Sequence, residues 1–505
     1  MKTGTPKDVR TIAAVDLGSN SFHLVIGRNT DEGITLLDTL RAPVRLAAGL
    51  DEDGGLSEDV VERALACLDQ FAQRLAHIPP HQVRAVGTQT LRLAGGEESA
   101  HTGGFMDLAE RALGVPIEIL AGTEEARLIY LGVAHDIAQD QGRRLVVDIG
   151  GGSTECIVGE GLDSDVACSM AMGCVSWSRR FFPDGRLLAK RFRRARLAAR
   201  LELGAECRRL LDAGWSECIG SSGTIRAALE CQVHLGIGSR LSREGLERIE
   251  RELVDRGSVE RLDLPGVGPD RAPVLAGGLA ILQAVFEDLE IESMVVSKAA
   301  LREGLLWDLR GRLRSEGVRD RTVALFVDRY GVSRDQAQRV STTALDCFEQ
   351  TRRDWELDDE IGRAFLSWAA RLHEVGLAIA HGGYHKHGEY ILAHSDMPGF
   401  SREEQRFLAT LVRCHRKKLL LKRFDGLAPG LRLLGLRLSV ILRLAVRLHR
   451  SRNPKPLPEF ELRAEGSALH VRLPEGWLDA HPLTRTDLED EATLLARAGL
   501  ELSVS

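Results

Sequence analysis

A chain of 505 residues exceeds what one hydrophobic core supports, and length alone suggests about three or four domains. With 44% hydrophobic and 28% charged residues it has the composition of a soluble globular protein. The net charge of −6 excludes wholesale basicity, so any anion site must come from local clustering. No N-terminal stretch joins basic residues to an apolar segment, and no apolar run reaches about 18 residues, so neither a signal peptide nor a transmembrane segment is expected. The nine cysteines contain no C-x-x-C, which points to a reducing cytoplasm and against a disulfide framework or structural zinc.

Residues 1–10 are polar and read as a frayed terminus. Ile12–Gly27 then runs apolar strand, acid (Asp16), tight turn (Leu17-Gly-Ser-Asn-Ser21), second apolar strand. Leu145–Val158 repeats the pattern, with Asp148, three glycines (Gly150, Gly151, Gly152), Ser153 and Thr154, and a second acid, Glu155. The two stretches align without gaps: Val15 with Val147, Asp16 with Asp148, Gly18 with Gly150, Ser21 with Ser153, Gly27 with Gly159. The identities sit at turns and strand ends, the signature of a duplicated half-domain. Successive N–H groups in such turns make concave anion sites, and flanking acids hold a metal ion or a water.

Between the hairpins the sequence predicts apolar stretches at Ile34–Leu40 and Val44–Leu50, a helix capped by Ser57, strands at Val83–Gly87 and Val115–Leu120, and helices near 104–113 and from Thr123 to about Ile137. After the second hairpin come a strand at Val166–Met172, helices at 174–182 and 187–212, a strand at Glu217–Ile219, and Gly220-Ser-Ser-Gly-Thr224 opening a helix to Leu235. Helices at 242–256 and 273–288, a strand at Ser293–Val296 and a helix from Ala299 follow. Two α/β domains facing each other are expected, at 10–129 and 130–311, with ligand in the cleft between them. Helical periodicity dominates from 312 to 452, and Asn453–Pro458 reads as a linker to a small α+β domain over 453–505.

Asp16-Leu-Gly-Ser-Asn-Ser-Phe-His23, Gly122-Thr-Glu-Glu-Ala-Arg127, Asp148–Glu155, Met172-Gly-Cys174, Gly220–Thr224 and Ala300-Leu-Arg-Glu-Gly304 together resemble the exopolyphosphatase and guanosine pentaphosphate phosphatase family, within the actin/hexokinase/Hsp70 superfamily. The likeness extends over the whole chain and is strongest to the long bacterial form. It implies a duplicated actin-like (ribonuclease H-like) fold followed by an all-helical HD-like domain and an α+β tail. It also implies Mg2+, with K+ as a second candidate, and a homodimer in the cytoplasm or at the periphery of the inner membrane.

Hydrolysis of a terminal phosphoanhydride needs charge neutralisation and a positioned water more than covalent chemistry. The resemblance implies a phosphate grip from Ser19, Asn20, Ser21, Gly150, Gly151, Gly152 and Ser153, and metal coordination by Asp16, Asp148 and Glu155. One acid of Thr-Glu-Glu would activate the water: Glu125, with Glu124 as fallback. Acids in a first helical turn are also favoured by the dipole alone. Thr88 and Arg92 match the family's threonine–arginine phosphate contact, although a surface salt bridge would explain Arg92 equally. His23 stands where some members carry arginine, and Lys298 where a glycine or an acid is usual; each has an open role.

The helical domain contains a crowd of histidines (His373, His381, His385, His387, His394, His415), suggestive of metal. The pair a HD-type site needs is replaced by His373-Glu374, so the domain reads as a decayed HD fold kept for substrate binding. Arg413, His415, Arg416, Lys417, Lys418, Lys422 and Arg423, and a basic amphipathic helix over 431–449, are candidates for a polyphosphate channel. A solvated face or an acidic partner helix would explain them too. No aromatic stacking platform supports a specific nucleic-acid role. The leading expectation is a processive exopolyphosphatase acting on inorganic polyphosphate. The alternative is guanosine pentaphosphate 5′-phosphatase, and an actin-like ATP-binding kinase or switch, or a non-catalytic binder, are alternatives from other classes.

Overall fold

The run Ile12–Leu17 is apolar apart from Asp16 because both faces of the strand it forms are covered. Ala13, Val15 and Leu17 enter one core, Ile12 and Ala14 another on the opposite face, and all five are fully buried. The computed structural model describes residues 10–30, 33–51, 54–94, 103–137, 142–313, 318–357 and 359–505. Of the expected frayed terminus, only Arg10 lies among them. The chain divides into two compact units, 1–316 and 317–505.

The first unit contains two lobes of one topology. In lobe I, β1 (Arg10–Leu17), β2 (Phe22–Asn29) and β3 (Ile34–Ala42) form an antiparallel meander, extended in parallel by β4 (Val83–Gly87) and β5 (Ile117–Ile119), in the order β3-β2-β1-β4-β5. In lobe II, β6 (Arg143–Ile149), β7 (Thr154–Glu160), β8 (Asp163–Met170), β9 (Glu217–Ser221), β10 (Leu241–Ser242) and β11 (Ser293–Val296) are ordered β10-β11-β9-β6-β7-β8. Apart from the two-residue β10, this is the same order read in the opposite direction. Both meanders bulge at one place, between Ile26 and Gly27 and between Val158 and Gly159. The aligned glycines Gly27 and Gly159 thus mark a shared kink.

The helices of lobe I are α1 (Glu58–Leu75), α2 (Gln89–Ala94), α3 (Gly103–Leu113) and α4 (Gly122–Asp136). Those of lobe II are α5 (Cys174–Phe181), α6 (Ala189–Ala213), α7 (Ser222–His234), α8 (Arg243–Arg256), α9 (Ala272–Asp288) and α10 (Leu301–Leu313). The last helix of each lobe crosses to the other: α4 packs on β7 and β8, α10 on β1 and β2. They cross backbone to backbone, since a side chain on Gly132 would meet Ala300 O at 2.3 Å and one on Gly304 would meet Leu128 O at 1.8 Å. The expected domain boundary at 129/130 therefore falls inside α4. Val44–Leu50, expected as an apolar stretch, forms a strap containing a 3-10 turn at Leu46–Gly49. Its Val44 and Leu46 are buried and its N–H groups bond elsewhere, as described below.

The second unit comprises α11 (Val318–Arg329), α12 (Arg334–Thr351), α13 (Asp359–Leu372), α14 (Tyr384–His394), α15 (Arg402–Cys414), α16 (Lys422–Asp425), α17 (Pro429–Leu448), β12 (Glu461–Glu465), β13 (Ala468–Arg472), α18 (Trp477–Ala480), α19 (Pro482–Ala496) and β14 (Glu501–Val504). Leu462, Leu469, Val471, Leu488, Leu495 and Leu502 of the tail share one apolar core with the helices. The segment 453–505 is thus continuous with the helical part rather than a separate body. Among the described residues no helix is long and apolar enough to cross a membrane.

Candidate active site

Each glycine hairpin has its carbonyls occupied from behind. Ser19 O and Asn20 O accept N–H bonds from Ala47 (2.9 Å) and Arg45 (2.8 Å) of the strap. Gly150 O and Gly151 O accept from Cys174 and Val175 at the start of α5, both at 2.9 Å. Among the described residues, the Gly151 and Gly152 N–H groups have no partner within the protein. The two hairpins also touch: a side chain on Gly151 would meet Ser19 Cβ at 3.0 Å, and one on Gly152 the Gln89 side chain at 3.0 Å. A side chain at either position would crowd the place where the lobes meet. The hairpins that sequence reasoning paired are thus brought together, with Ser19, Ser21, Thr88 and Ser153 buried beside them.

Acids gather at the same place. Asp148 and Glu155 are direct partners in the β6–β7 ladder, and Glu155 accepts the Ser169 hydroxyl at 2.8 Å. Burial pushes the Asp148 carboxyl up to about 6, with Ser221 opposing and the Asp16 charge adding. Burial pushes Glu155 far above the usual range, and Glu125 and Asp148 push it further. Glu125, in the first turn of α4, is also raised by burial, with Arg92 opposing and Asp16 and Asp148 adding. Asp16 Oδ1 is buried with no hydrogen-bond partner, and Oδ2 lies 3.6 Å from His23 Nδ1. Burial holds His23 below its ordinary value against the pull of Asp16.

Two adjacent acids have different fates. Glu124 is clamped by Arg127 through two 2.8 Å bonds, and Arg127 reaches Asp308 at 2.5 Å, where Arg84 (2.6 Å) and Arg312 (2.7 Å) converge. Glu124 is therefore neutralised within a buried network that ties α4 to α10 and β4. Glu125 carries one cation, Arg92, at 2.7 Å, and otherwise faces the carboxyl cluster. Arg92 is further committed to Gln89 Oε1 (2.7 Å) and Leu120 O (2.9 Å). The phosphate contact expected of Arg92 gives way to a buried ion pair with the acid beside it.

Sequence reasoning missed four arginines here. Arg41 Nη2 is 3.4 Å from Ser21 Oγ. Arg226 and Arg302 are near enough to Asp148 to draw its pKa down. Arg271 is half-buried near Cys174, Arg41, Arg226 and Asp148, and its guanidinium covers Gly223, where a side chain would meet Nη2 at 1.8 Å. Only Arg302 lay within a motif quoted from the sequence; the others come from separate elements and leave no local signal. Lys298 is exposed, the solvated alternative, while its N–H reaches Asp136 at 3.3 Å.

In the second unit several expectations change. Arg443 is fully buried, bonding Glu491 (2.5 Å), Cys414 O (2.7 Å) and Lys417 O (2.6 Å). Arg447 binds Glu491 and Asp487, Arg450 binds Asp487, Arg437 binds Trp355 O and Arg452 binds Glu374. The basic face of α17 is thus neutralised largely by α19, the acidic-partner alternative. His415 is 1% exposed and cannot line a surface channel. Arg413 pairs with Glu389 at 3.0 Å and Arg416 lies 4.3 Å over the Tyr384 ring, leaving Lys417 and Lys418 exposed. His373, His385 and His415 do cluster, with ring centres 5.5–6.3 Å from His415, but among the described residues no group of three or more donors is placed to hold a metal.

Unspent amides, four arginines and four carboxyl groups gathered between the lobes suit a phosphorylated ligand and a hard cation. The fold is a duplicated α/β one, and a glycine hairpin from each half meets the other in the cleft. The family model for the Ppx/GppA phosphatase family matches residues 25–313, and that for Ppx/GppA phosphatase domain III matches 318–492. The chain belongs to the Ppx/GppA phosphatase family. It is 39% identical over 492 residues, 97% of each chain, to a guanosine-5′-triphosphate,3′-diphosphate pyrophosphatase of Vibrio cholerae, and 38% identical over 98% of each to its namesake in Vibrio parahaemolyticus. Among solved structures it resembles an exopolyphosphatase-like protein (27% identity, TM-score 0.55, 61% of this chain and all of that one). An exopolyphosphatase of Cytophaga hutchinsonii shares the fold at 23% identity (TM-score 0.54, 60% of this chain and 98% of that one).

Proposed function

We propose that this phosphatase hydrolyses guanosine 5′-triphosphate 3′-diphosphate, removing the terminal phosphate of the 5′ chain. The observation that carries the reading is the likeness along the full length to relatives bearing that activity in their names. The cleft supports it chemically. One terminal phosphate is gripped by the hairpin amides, and Arg41, Arg226, Arg271 and Arg302 provide charge for further phosphates on the same molecule. This reverses the order of the two family activities expected from sequence. Polyphosphate stays second, favoured by the exposed Lys417 and Lys418 but weakened by the internal use of the α17 arginines.

Asp16 and Asp148 fit a magnesium ion: both offer oxygen, and Asp16 Oδ1 is an unpartnered buried acceptor. Magnesium commonly takes only one or two carboxylates, completing its shell with water and substrate phosphate, so a trio of protein ligands is not required. When bound, the ion would offset charge on the phosphates. Glu125 accepts the proton of the attacking water, its carboxylate oriented by Arg92, whose charge favours the ionised form against the burial that favours the protonated one. Glu155, opposite Asp148 and held by Ser169, contributes to the cation site or to the proton balance of the cluster.

The test is phosphate release with magnesium from guanosine pentaphosphate, long-chain polyphosphate and ATP, compared as kcat/KM. The reading predicts the highest value for guanosine pentaphosphate. A higher value for polyphosphate would restore the second reading, and transfer from ATP to an acceptor would contradict both.

A further inference from the structure

The element that backs the first hairpin and the element that backs the second are tied to each other. The strap supports Ser19 O and Asn20 O through Ala47 and Arg45, and α5 supports Gly150 O and Gly151 O. Arg179 of α5 donates Nη1–H to Ala47 O at 2.8 Å. Arg45 reaches across to Asp270 at 3.1 Å, one residue before the Arg271 that faces Asp148. The Ala47 side chain packs against the core of lobe II.

The strap itself moves with lobe I. Ser57 N–H bonds Gly49 O at 3.0 Å, and Arg63 reaches Val44 O at 3.4 Å from α1. Arg45 holds a left-handed backbone (φ 55), a conformation that is costly for a non-glycine residue and persists only where surroundings fix it. Here that geometry lets one residue give its N–H to Asn20 and its guanidinium to the other lobe.

We propose that Arg45, Asp270 and Arg179 form a clasp between the lobes, positioning residues that hold the two phosphate hairpins face to face without touching the reacting atoms. Arg45 and Asp270 are 50% and 41% exposed, so the pair is weak and salt-sensitive. A weak contact suits two lobes whose hairpins meet over the site, because it can break and reform on each turnover. The clasp sets the share of time spent closed, independently of which phosphorylated substrate is best.

The test combines kinetics with a distance between the lobes. Asp270→Ala, which breaks an exposed ion pair, and Arg179→Ala, which removes a hydrogen bond to Ala47 O, should each raise KM by about two- to fivefold. The acid limb of kcat against pH should stay unchanged. The charge swap Arg45→Asp with Asp270→Arg should bring KM back toward wild type, and added salt should narrow the differences. Spin labels on exposed Glu62 of α1 and Glu247 of α8 should report a larger open population in Asp270→Ala. A lowered melting temperature with KM and label distances unchanged would overturn the clasp, as would a swap that fails to recover KM while still folding. The label distances need no substrate, so they separate failure of the clasp from failure of the substrate assignment.

Discussion

Arg92→Ala removes the one cation held against Glu125 in a cluster that also contains Asp16, Asp148 and Glu155. A carboxylate that loses its cation is harder to ionise, so the pKa of Glu125 moves up and less base exists at a given pH. Both side chains are under a tenth exposed, so solvent screening is slight. At 2.7 Å and an effective dielectric near 20 the attraction is ~6 kcal/mol as an upper bound. Breaking such buried pairs costs about 3–5 kcal/mol of stability, and protonating Glu125 is the direct way to relieve the uncompensated charge. Water entering the vacated space reduces this, and a rise of at least about 1 unit in the acid limb of kcat is expected. The assay is phosphate release at saturating substrate across pH, with Arg92→Lys expected between wild type and alanine. A rate lowered by one factor at every pH would refute the reasoning and return Arg92 to the phosphate.

Four further outcomes follow from the packing and the charges. Gly304→Ala should separate α4 from α10, because the added methyl would meet Leu128 O at 1.8 Å, and melting should drop by several degrees. Gly204→Ala on α6 meets nothing within 4 Å and should instead stabilise by about 0.5–1 kcal/mol in the same melting assay. Arg443→Ala should destabilise the second unit by about 3–5 kcal/mol in denaturant titrations, because Glu491 is left buried without it, whereas Lys417→Gln should change little. Acid should also loosen that unit: burial holds His373 and His415 below the usual imidazole value and lowers His385 and His449 to about 4. Their unfolded forms protonate near 6.5, so the stability these groups contribute is present above that pH and lost as pH falls from 6.5 toward 4. Unfolding monitored from pH 7.5 to 4.5 should show it.

The duplicated hairpins were legible because their chemistry is local: an acid, a glycine turn and a strand on each side, at matching spacing. The strand orders of the two sheets and the bulges at Gly27 and Gly159 give that alignment its physical basis. Partnerships between distant segments were not legible. Arg443 looks like part of a basic surface until Glu491, nearly fifty residues on, packs against it. Glu124 and Glu125 look equivalent until Arg127 and Arg92 each take one. Val44–Leu50 has the apolar content of a strand, yet its N–H groups serve the first hairpin instead of a neighbouring strand. Arg41, Arg226 and Arg271 belong to three elements that meet only in the folded cleft.

The central claim is that Glu125 draws the proton from the attacking water in a cleft whose hairpins bind the phosphate. Turnover of guanosine pentaphosphate by Glu125→Gln, with folding checked by melting and substrate binding by titration, tests it most directly. The account predicts substrate affinity near wild type and a kcat lowered by about 10²–10⁴-fold, the usual contribution of a positioned general base. A correctly folded Glu125→Gln enzyme that releases phosphate at close to the wild-type rate would contradict it.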